Sequence, residues 1–186
     1  MPTDRTEQAP LREQEVCLDC GFCCDGTLFV HAILNPGEKG NLPEKIEEKV
    51  FSEGERDYFR LPCKYFSGRC TIYDRKRADV CGAYRCQLLR DFSAEKISIE
   101  QVLEMVKRAG ETRRELLEEY RRVSGSEQNI HFMEVLKELG KHLRQEREEA
   151  SPGMDYELLL ARCNIFEALL IKHFRSADDF EKLVMK

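Results

Sequence analysis

Eight cysteines in one ordered pattern constrain the fold of this 186-residue chain more than any other feature. The pattern is C-x2-C-x2-C-C, followed after 38 residues by C-x6-C-x10-C-x4-C. Its members are Cys17, Cys20, Cys23, Cys24, Cys63, Cys70, Cys81 and Cys86. The ninth cysteine, Cys163, lies on the most apolar predicted helix, and we interpret it as a small core residue.

Clustered thiols at such short spacings are typical of metal ligation. Two residues between cysteines let a tight loop bring two thiolates onto one ion, and Gly21 gives that loop backbone freedom. Zinc sites and iron–sulfur clusters use the same kind of loop, so the spacing does not decide the metal or the number of centres. We predict that the eight thiolates hold zinc, iron or an iron–sulfur cluster. Disulfides and redox-active thiols are the alternatives.

Several specific site classes do not match the spacing. The first three cysteines resemble the bacterial ferredoxin run, but Cys24 follows Cys23 at once, where that run needs three residues and then Cys-Pro. The second half lacks the C-x2-C of a zinc ribbon. The chain has no phosphate-binding loop, no H-E-x-x-H motif and no G-x-G-x-x-G fingerprint. No reaction and no catalytic residue can therefore be assigned, and whether the chain is an enzyme stays open.

Charge and hydropathy exclude other classes. The net charge is −5, which gives no reason to expect binding to nucleic acid. No segment approaches the roughly 20 apolar residues that cross a bilayer, so we expect no membrane partner. The first eight residues are polar and do not resemble a signal peptide. We therefore expect a cytoplasmic location, where a reducing environment favours metal ligation over disulfides.

A basic stretch accompanies the last ligands. Residues 69–90 contain only two acidic side chains, Asp74 and Asp79, against six basic ones: Arg69, Arg75, Lys76, Arg77, Arg85 and Arg90. We expect these cations to stabilise thiolates and an anionic metal centre. The alternative interpretation is a solvated basic helix face.

The fold class is predicted to be α+β. Residues 1–15 are expected to form a flexible arm, residues 16–92 a cysteine-cluster metal-binding domain with short strands, and residues 93–186 a helical domain packed on it. The first domain is predicted to contain a strand over 27–34, a helix over 43–51, a hairpin over 64–73 and a helix over 79–92.

The second domain is predicted to contain three or four helices. A capping box at Ser98–Gln101 opens the first helix, and Gly125 ends it. Further helices are expected over 129–148, 155–175 and 178–185, and the second of the four would bury Ile130, Met133, Leu136, Leu139 and Leu143. The charged helix faces are most simply solvated, and a protein partner on the helical domain is the alternative.

The segment from Cys17 to Cys24 resembles the hallmark of the CxxCxxCC (YkgJ-like) cysteine cluster family, whose members are described as zinc- or iron-chelating. The second half matches through Cys70, Tyr73, Arg77, Cys81, Tyr84 and Cys86. Ala78 stands where the family usually has Pro, and Gly82 where it usually has Arg. The resemblance covers residues 17–90 and implies that all eight cysteines are metal ligands.

Three classes of function follow from these observations. The first is a metal-binding protein that holds zinc, iron or an iron–sulfur cluster. The second is an iron–sulfur enzyme, or a redox or accessory component of a protein-modification system. The third is a metal-stabilised protein-interaction module. His31, which follows the first four cysteines closely, is the best candidate for a ligand outside the eight.

Overall fold

A computed structural model describes residues 11–128, 130–149 and 154–175 of the chain. It contains seven α-helices, a π-helical turn and a small antiparallel sheet, so the predicted α+β class is confirmed. Within the described residues the strands occupy the first part of the chain and the long helices the second. The chain separates into two compact units that meet between Arg85 and Cys86. The domain boundary after residue 92 stays a prediction from sequence.

The first unit begins with helix α1, Leu11–Cys20. It continues with strand β1 (His31–Ile33) and helix α2 (Glu44–Glu47). Strands β2 (Val50–Glu53) and β3 (Arg56–Arg60) follow, and then helix α3 (Asp79–Ala83). The strands form one antiparallel sheet in the order β1-β3-β2. One hydrophobic cluster stabilises this unit, and its buried members are Leu34, Ile46, Phe59, Leu61, Ile72 and Ala78.

Four local expectations for the first unit need correction. The arm was expected to reach residue 15, but α1 begins at Leu11, and Val16 on it is buried at 2% exposure. Residues 1–10 lie outside the described part of the chain. The strand expected over 27–34 is limited to β1, and the helix expected over 43–51 ends early because residues 50–53 pair with β3. The helix expected over 79–92 is interrupted by extended backbone at Tyr84 and Cys86.

The second unit is helical. It contains α4, Gln87–Ser93, α5, Ile99–Ser124, α6, Phe132–Glu149, and α7, Met154–Leu170, followed by the π-helical turn Ile171–Arg175. The predicted capping box is present, since Ser98 accepts from the Gln101 amide and the Gln101 side chain accepts from the Ser98 amide. Gly125 ends α5 in a left-handed conformation. The short helix expected over 178–185 lies outside the described residues.

The core of the second unit lies between α5, α6 and α7. Phe132 on α6 meets Phe166 on α7 edge to face, with ring centroids 5.0 Å apart. Of the side chains expected to be buried here, Ile130 and Leu139 are buried, Met133 and Leu136 are half-buried, and the Leu143 side chain lies outside the described part of the structure. Phe132 and Val135 are fully buried as well. Cys163 on α7 is fully buried, which confirms that it belongs to the core.

Candidate metal centre

The first four cysteines lie on the end of α1 and the turns that follow it. Cys17 and Cys20 belong to the helix, and Gly21 ends it with a φ of +65°. The Gly21 amide donates to the Cys17 carbonyl at 3.2 Å, and the Cys24 amide donates to the Gly21 carbonyl at 2.8 Å. A left-handed residue that closes a helix in this way reverses the chain direction within a few residues. The turn therefore brings Cys23 and Cys24 back beside the helix end.

Gly21 also permits a close approach that a side chain would prevent. A Cβ atom at this position would lie 2.5 Å from two ring carbons of Phe66. Phe66 belongs to the second cysteine segment, where it forms an isolated antiparallel bridge with Cys70. This bridge lies within the hairpin predicted over 64–73, but the flanking residues do not extend into a longer hairpin. Contact between Gly21 and Phe66 thus joins the two halves of the cysteine pattern.

A backbone hydrogen bond joins the same two halves directly. The Cys63 amide donates to the Cys24 carbonyl at 2.7 Å, and the Phe66 amide donates to the Cys63 carbonyl at 3.0 Å. Cys63 and Cys70 also pack against the hydrophobic cluster of the first unit. Cysteines separated by 38 residues in the sequence are therefore held on neighbouring stretches of backbone.

Five thiols share one electrostatic neighbourhood. The pKa of the Cys24 thiol is raised to about 12, mainly by burial and then by the nearby thiols of Cys81, Cys70, Cys63 and Cys17 in that order of importance. Burial is also the main cause of the raised pKa of Cys63, with Cys70 adding to it. Because these thiols influence one another, their sulfur atoms occupy a common region of the first unit.

Arg77 and Tyr73 border this region. The Arg77 guanidinium lies over the Tyr73 ring at 4.0 Å from its centroid. Cys81 as a residue is exposed to solvent, but atoms packed around its thiol raise the pKa of that thiol. Arg77 lowers the same pKa. Burial raises the pKa of the Tyr73 phenol, and Cys17 raises it further. Arg77 is therefore the cation of the basic stretch that acts on a predicted ligand within this unit.

Arg85 makes contacts that were not expected from the sequence. Its Nε atom lies 2.8 Å from a carboxylate oxygen of Glu13, and the Glu13 residue is only 4% exposed. Arg85 also donates to the Gly82 carbonyl at 2.8 Å. Its charge thus compensates a buried carboxylate of α1. Sequence reasoning missed Glu13; the available signal was its position three residues before Val16, which is one helical turn along the same face.

The other candidate ligands lie in different surroundings. Cys20 and Cys23 are half-buried. Cys86 opens the second unit as the residue before α4, where burial raises the pKa of its thiol and the backbone amides of Leu89 and Leu88 lower it. His31 is exposed on β1, and its ring meets the Tyr58 ring edge to face at 4.9 Å.

The donor set suits a soft or borderline metal in its chemistry. None of the nine cysteines forms a disulfide, and thiolate sulfur is the preferred donor of zinc and iron–sulfur sites. Across residues 11–128, 130–149 and 154–175, however, no three Cys, His, Asp or Glu side chains are arranged to hold one ion. Binding would therefore require thiols that are already neighbours to turn towards a common point.

Two further findings complete the description of the candidate site. None of the helices in the described part of the chain is both long and apolar enough to cross a bilayer. Comparisons of the chain with protein-family models, with curated proteins and with solved structures found no match.

Proposed function

We propose that the first unit binds zinc, iron or an iron–sulfur cluster through cysteine thiolates. The core of the proposed ligand set is the group of five neighbouring thiols, namely those of Cys17, Cys24, Cys63, Cys70 and Cys81. Cys20 and Cys23 extend this set. Cys86 remains a ligand predicted from the sequence spacing. The resemblance to the CxxCxxCC (YkgJ-like) family supports the same assignment.

The observation that carries this proposal is the hydrogen bond between the Cys63 amide and the Cys24 carbonyl. This hydrogen bond places the two cysteine-bearing segments side by side, although 38 residues separate them in the sequence. The absence of disulfides among the nine thiols supports ligation over cross-linking, and a reducing cytoplasmic location would keep the thiols in that state.

The identity of the metal sets what the centre would do. Zinc held by four thiolates is a closed structural site, and its binding energy would contribute directly to folding. An iron–sulfur cluster would supply electron transfer or sensing, which are the properties of a redox or accessory component. The protein's own contribution is the same in both cases, since α1 and the hydrophobic cluster hold the sulfur-bearing segments together.

Paired cysteine variants test the proposal. We expect Cys63→Ala to lower the metal content measured by elemental analysis by at least half, because Cys63 lies beside Cys24. Cys163→Ala is the matched control, since this cysteine is buried in the helical unit and should leave the metal content unchanged. Circular dichroism would show whether each variant is folded. Equal metal content in folded wild-type protein and Cys63→Ala would contradict the proposal.

Helix α7 favours a second candidate function, an interaction module. Leu158, Ile165 and Leu169 are 56%, 64% and 48% exposed, although large apolar side chains usually lie in the core. They are spaced by seven and four residues, so they lie along one side of the helix. The opposite side, which includes Leu159 and Cys163, is buried. This exposed row has the spacing of a helix–helix seam.

We propose that a second copy of the chain covers this row in an antiparallel contact. With the twofold axis between Cys163 and Asn164, Leu158 of one copy meets Leu169 of the other. The same alignment places Asp155 opposite Lys172, which gives charge complementarity on both sides of the axis. Both charged residues are exposed.

Light scattering and analytical ultracentrifugation test the contact. We expect a dimer that Ile165→Glu weakens by at least about tenfold, while Asn164→Glu, on the neighbouring exposed residue, has little effect. Asp155→Lys should weaken the dimer, and adding Lys172→Asp in the same chain should restore it. A wild-type monomer, or a dimer insensitive to Ile165→Glu, would contradict the proposal.

A further inference from the structure

The first unit contains a cavity of about 500 Å³ that the proposed metal centre does not use. This volume falls within the roughly 300–1,000 Å³ of typical small-molecule sites. Three consecutive cations, Arg75, Lys76 and Arg77, line it together. Gly82 and Ala83 also contribute to its walls, and their small side chains leave room inside.

The acidic residues of the wall are already engaged within the protein. One carboxylate oxygen of Glu38 accepts from the Asn35 amide at 2.6 Å, and the other accepts from the Asp79 amide at 2.7 Å. The Asp79 carboxylate in turn accepts from the Asn35 side chain at 2.9 Å. These carboxylates therefore fasten the loop before α2 to the start of α3. Three hydrogen bonds therefore hold these two carboxylates in place, although their negative charges remain in the wall.

The cations Arg75 and Lys76, unlike these carboxylates, are not engaged within the described part of the protein. Among the described residues, neither the Arg75 nor the Lys76 side chain has a hydrogen-bond or ion-pair partner, and both residues are exposed. The Arg75 amide donates to the Ile72 carbonyl at 3.0 Å, so the backbone bends here. Arg77 is held in place by its contact with the Tyr73 ring. The groups left for a ligand are thus positively charged.

We propose that this cavity binds a small molecule carrying a phosphate group, with Arg75 and Lys76 as the principal contacts. A phosphate monoester carries about −1.5 to −2 charges at neutral pH, which matches the two positive charges of Arg75 and Lys76 better than a single carboxylate does. The guanidinium of arginine forms paired hydrogen bonds with phosphate oxygens. The volume leaves space for an organic group attached to the phosphate. The proposal does not depend on metal binding.

Calorimetric titration of the full chain in phosphate-free buffer tests the proposal. The probes are adenosine 5′-monophosphate, glucose 6-phosphate and adenosine. We expect saturable binding of at least one of the two phosphate esters, and at least about tenfold weaker binding of adenosine than of adenosine 5′-monophosphate. The double variant Arg75→Ala/Lys76→Ala should weaken binding of the ester by at least about tenfold.

A matched control removes the same charge elsewhere in the first unit. Lys64 and Arg69 are exposed and do not line the cavity, so Lys64→Ala/Arg69→Ala should bind the ester as tightly as the wild type. No saturable binding of either ester up to concentrations on the order of 10 mM would overturn the proposal. Equal weakening in the two double variants would also overturn it, because binding would then reflect overall charge.

Discussion

Single residues decide how the two halves of the cysteine pattern meet. Gly21 combines a left-handed backbone with a contact in which Phe66 occupies the space of a side chain. Glu13 is buried and depends on Arg85 for compensation of its charge. The need for a glycine beside Cys20 could be anticipated from the sequence, because loops around clustered thiols turn tightly. The contacts with Phe66 and Arg85 could not, because they join residues at least 45 positions apart.

Replacement of Gly21 tests the close contact between its backbone and the Phe66 ring. We expect Gly21→Ala to lower the free energy of unfolding by about 2 kcal/mol or more, since it adds a clash to the cost of a left-handed alanine. Gly68→Ala is the matched control. Its φ is +71°, but a Cβ there would meet no atom within 4 Å, so it should cost only about 1 kcal/mol. Equal losses in chemical denaturation would contradict a role for the Phe66 contact.

The ion pair between Glu13 and Arg85 gives a second residue-scale prediction. We expect Arg85→Met to cost roughly 2–3 kcal/mol, because it removes the cation that lies 2.8 Å from a buried carboxylate. Lys64→Met removes an exposed partner of Glu48 and should cost clearly less, because solvent screens this pair. The double variant Glu13→Gln/Arg85→Met should recover part of the loss. If denaturation shows equal losses for Arg85→Met and Lys64→Met, the importance of the buried pair is contradicted.

At the scale of elements, local signals predicted the long helices of the second unit better than the short helices and strands of the first. The capping box and Gly125 set the ends of α5 as expected, because both act through neighbouring residues. The hairpin of β2 and β3 was missed, since residues 50 and 51 fit a helix until they pair with β3. On α6, Leu139 is buried as expected, but Phe132 and Val135 are buried in place of Met133 and Leu136, and Phe132 meets Phe166 on α7 edge to face.

The π-helical turn after α7 gives a prediction for pH dependence. Burial lowers the pKa of His173 there, and the adjacent Lys172 lowers it further. The folded state therefore binds the proton less readily than the unfolded chain. The resulting stabilisation is present above the unfolded pKa of about 6.5 and is lost as the pH falls through the folded pKa. Denaturation at pH 7.5 and pH 5 should show a smaller loss in His173→Gln than in the wild type. An unchanged loss would contradict this assignment.

At the scale of the whole molecule, the sequence predicted the α+β class, with strands in the first part of the chain and long helices in the second. It also predicted the ligand candidates, because cysteine spacing is visible without a structure. The basic wall of the cavity was visible only as a charged stretch, since the role of Arg75 and Lys76 depends on which carboxylates are already engaged. For the fold and for the sites alike, contacts between residues far apart in the sequence were therefore not predictable.

The central claim is that the cysteine pattern binds metal, and the metal content of the purified protein tests it most directly. We predict that protein purified anaerobically contains at least about one equivalent of zinc or iron per chain. Iron accompanied by acid-labile sulfide and visible absorption would identify a cluster, and zinc without colour a structural site. A fully folded chain that contains neither metal after supplementation, with its eight clustered cysteines paired in disulfides, would contradict the account.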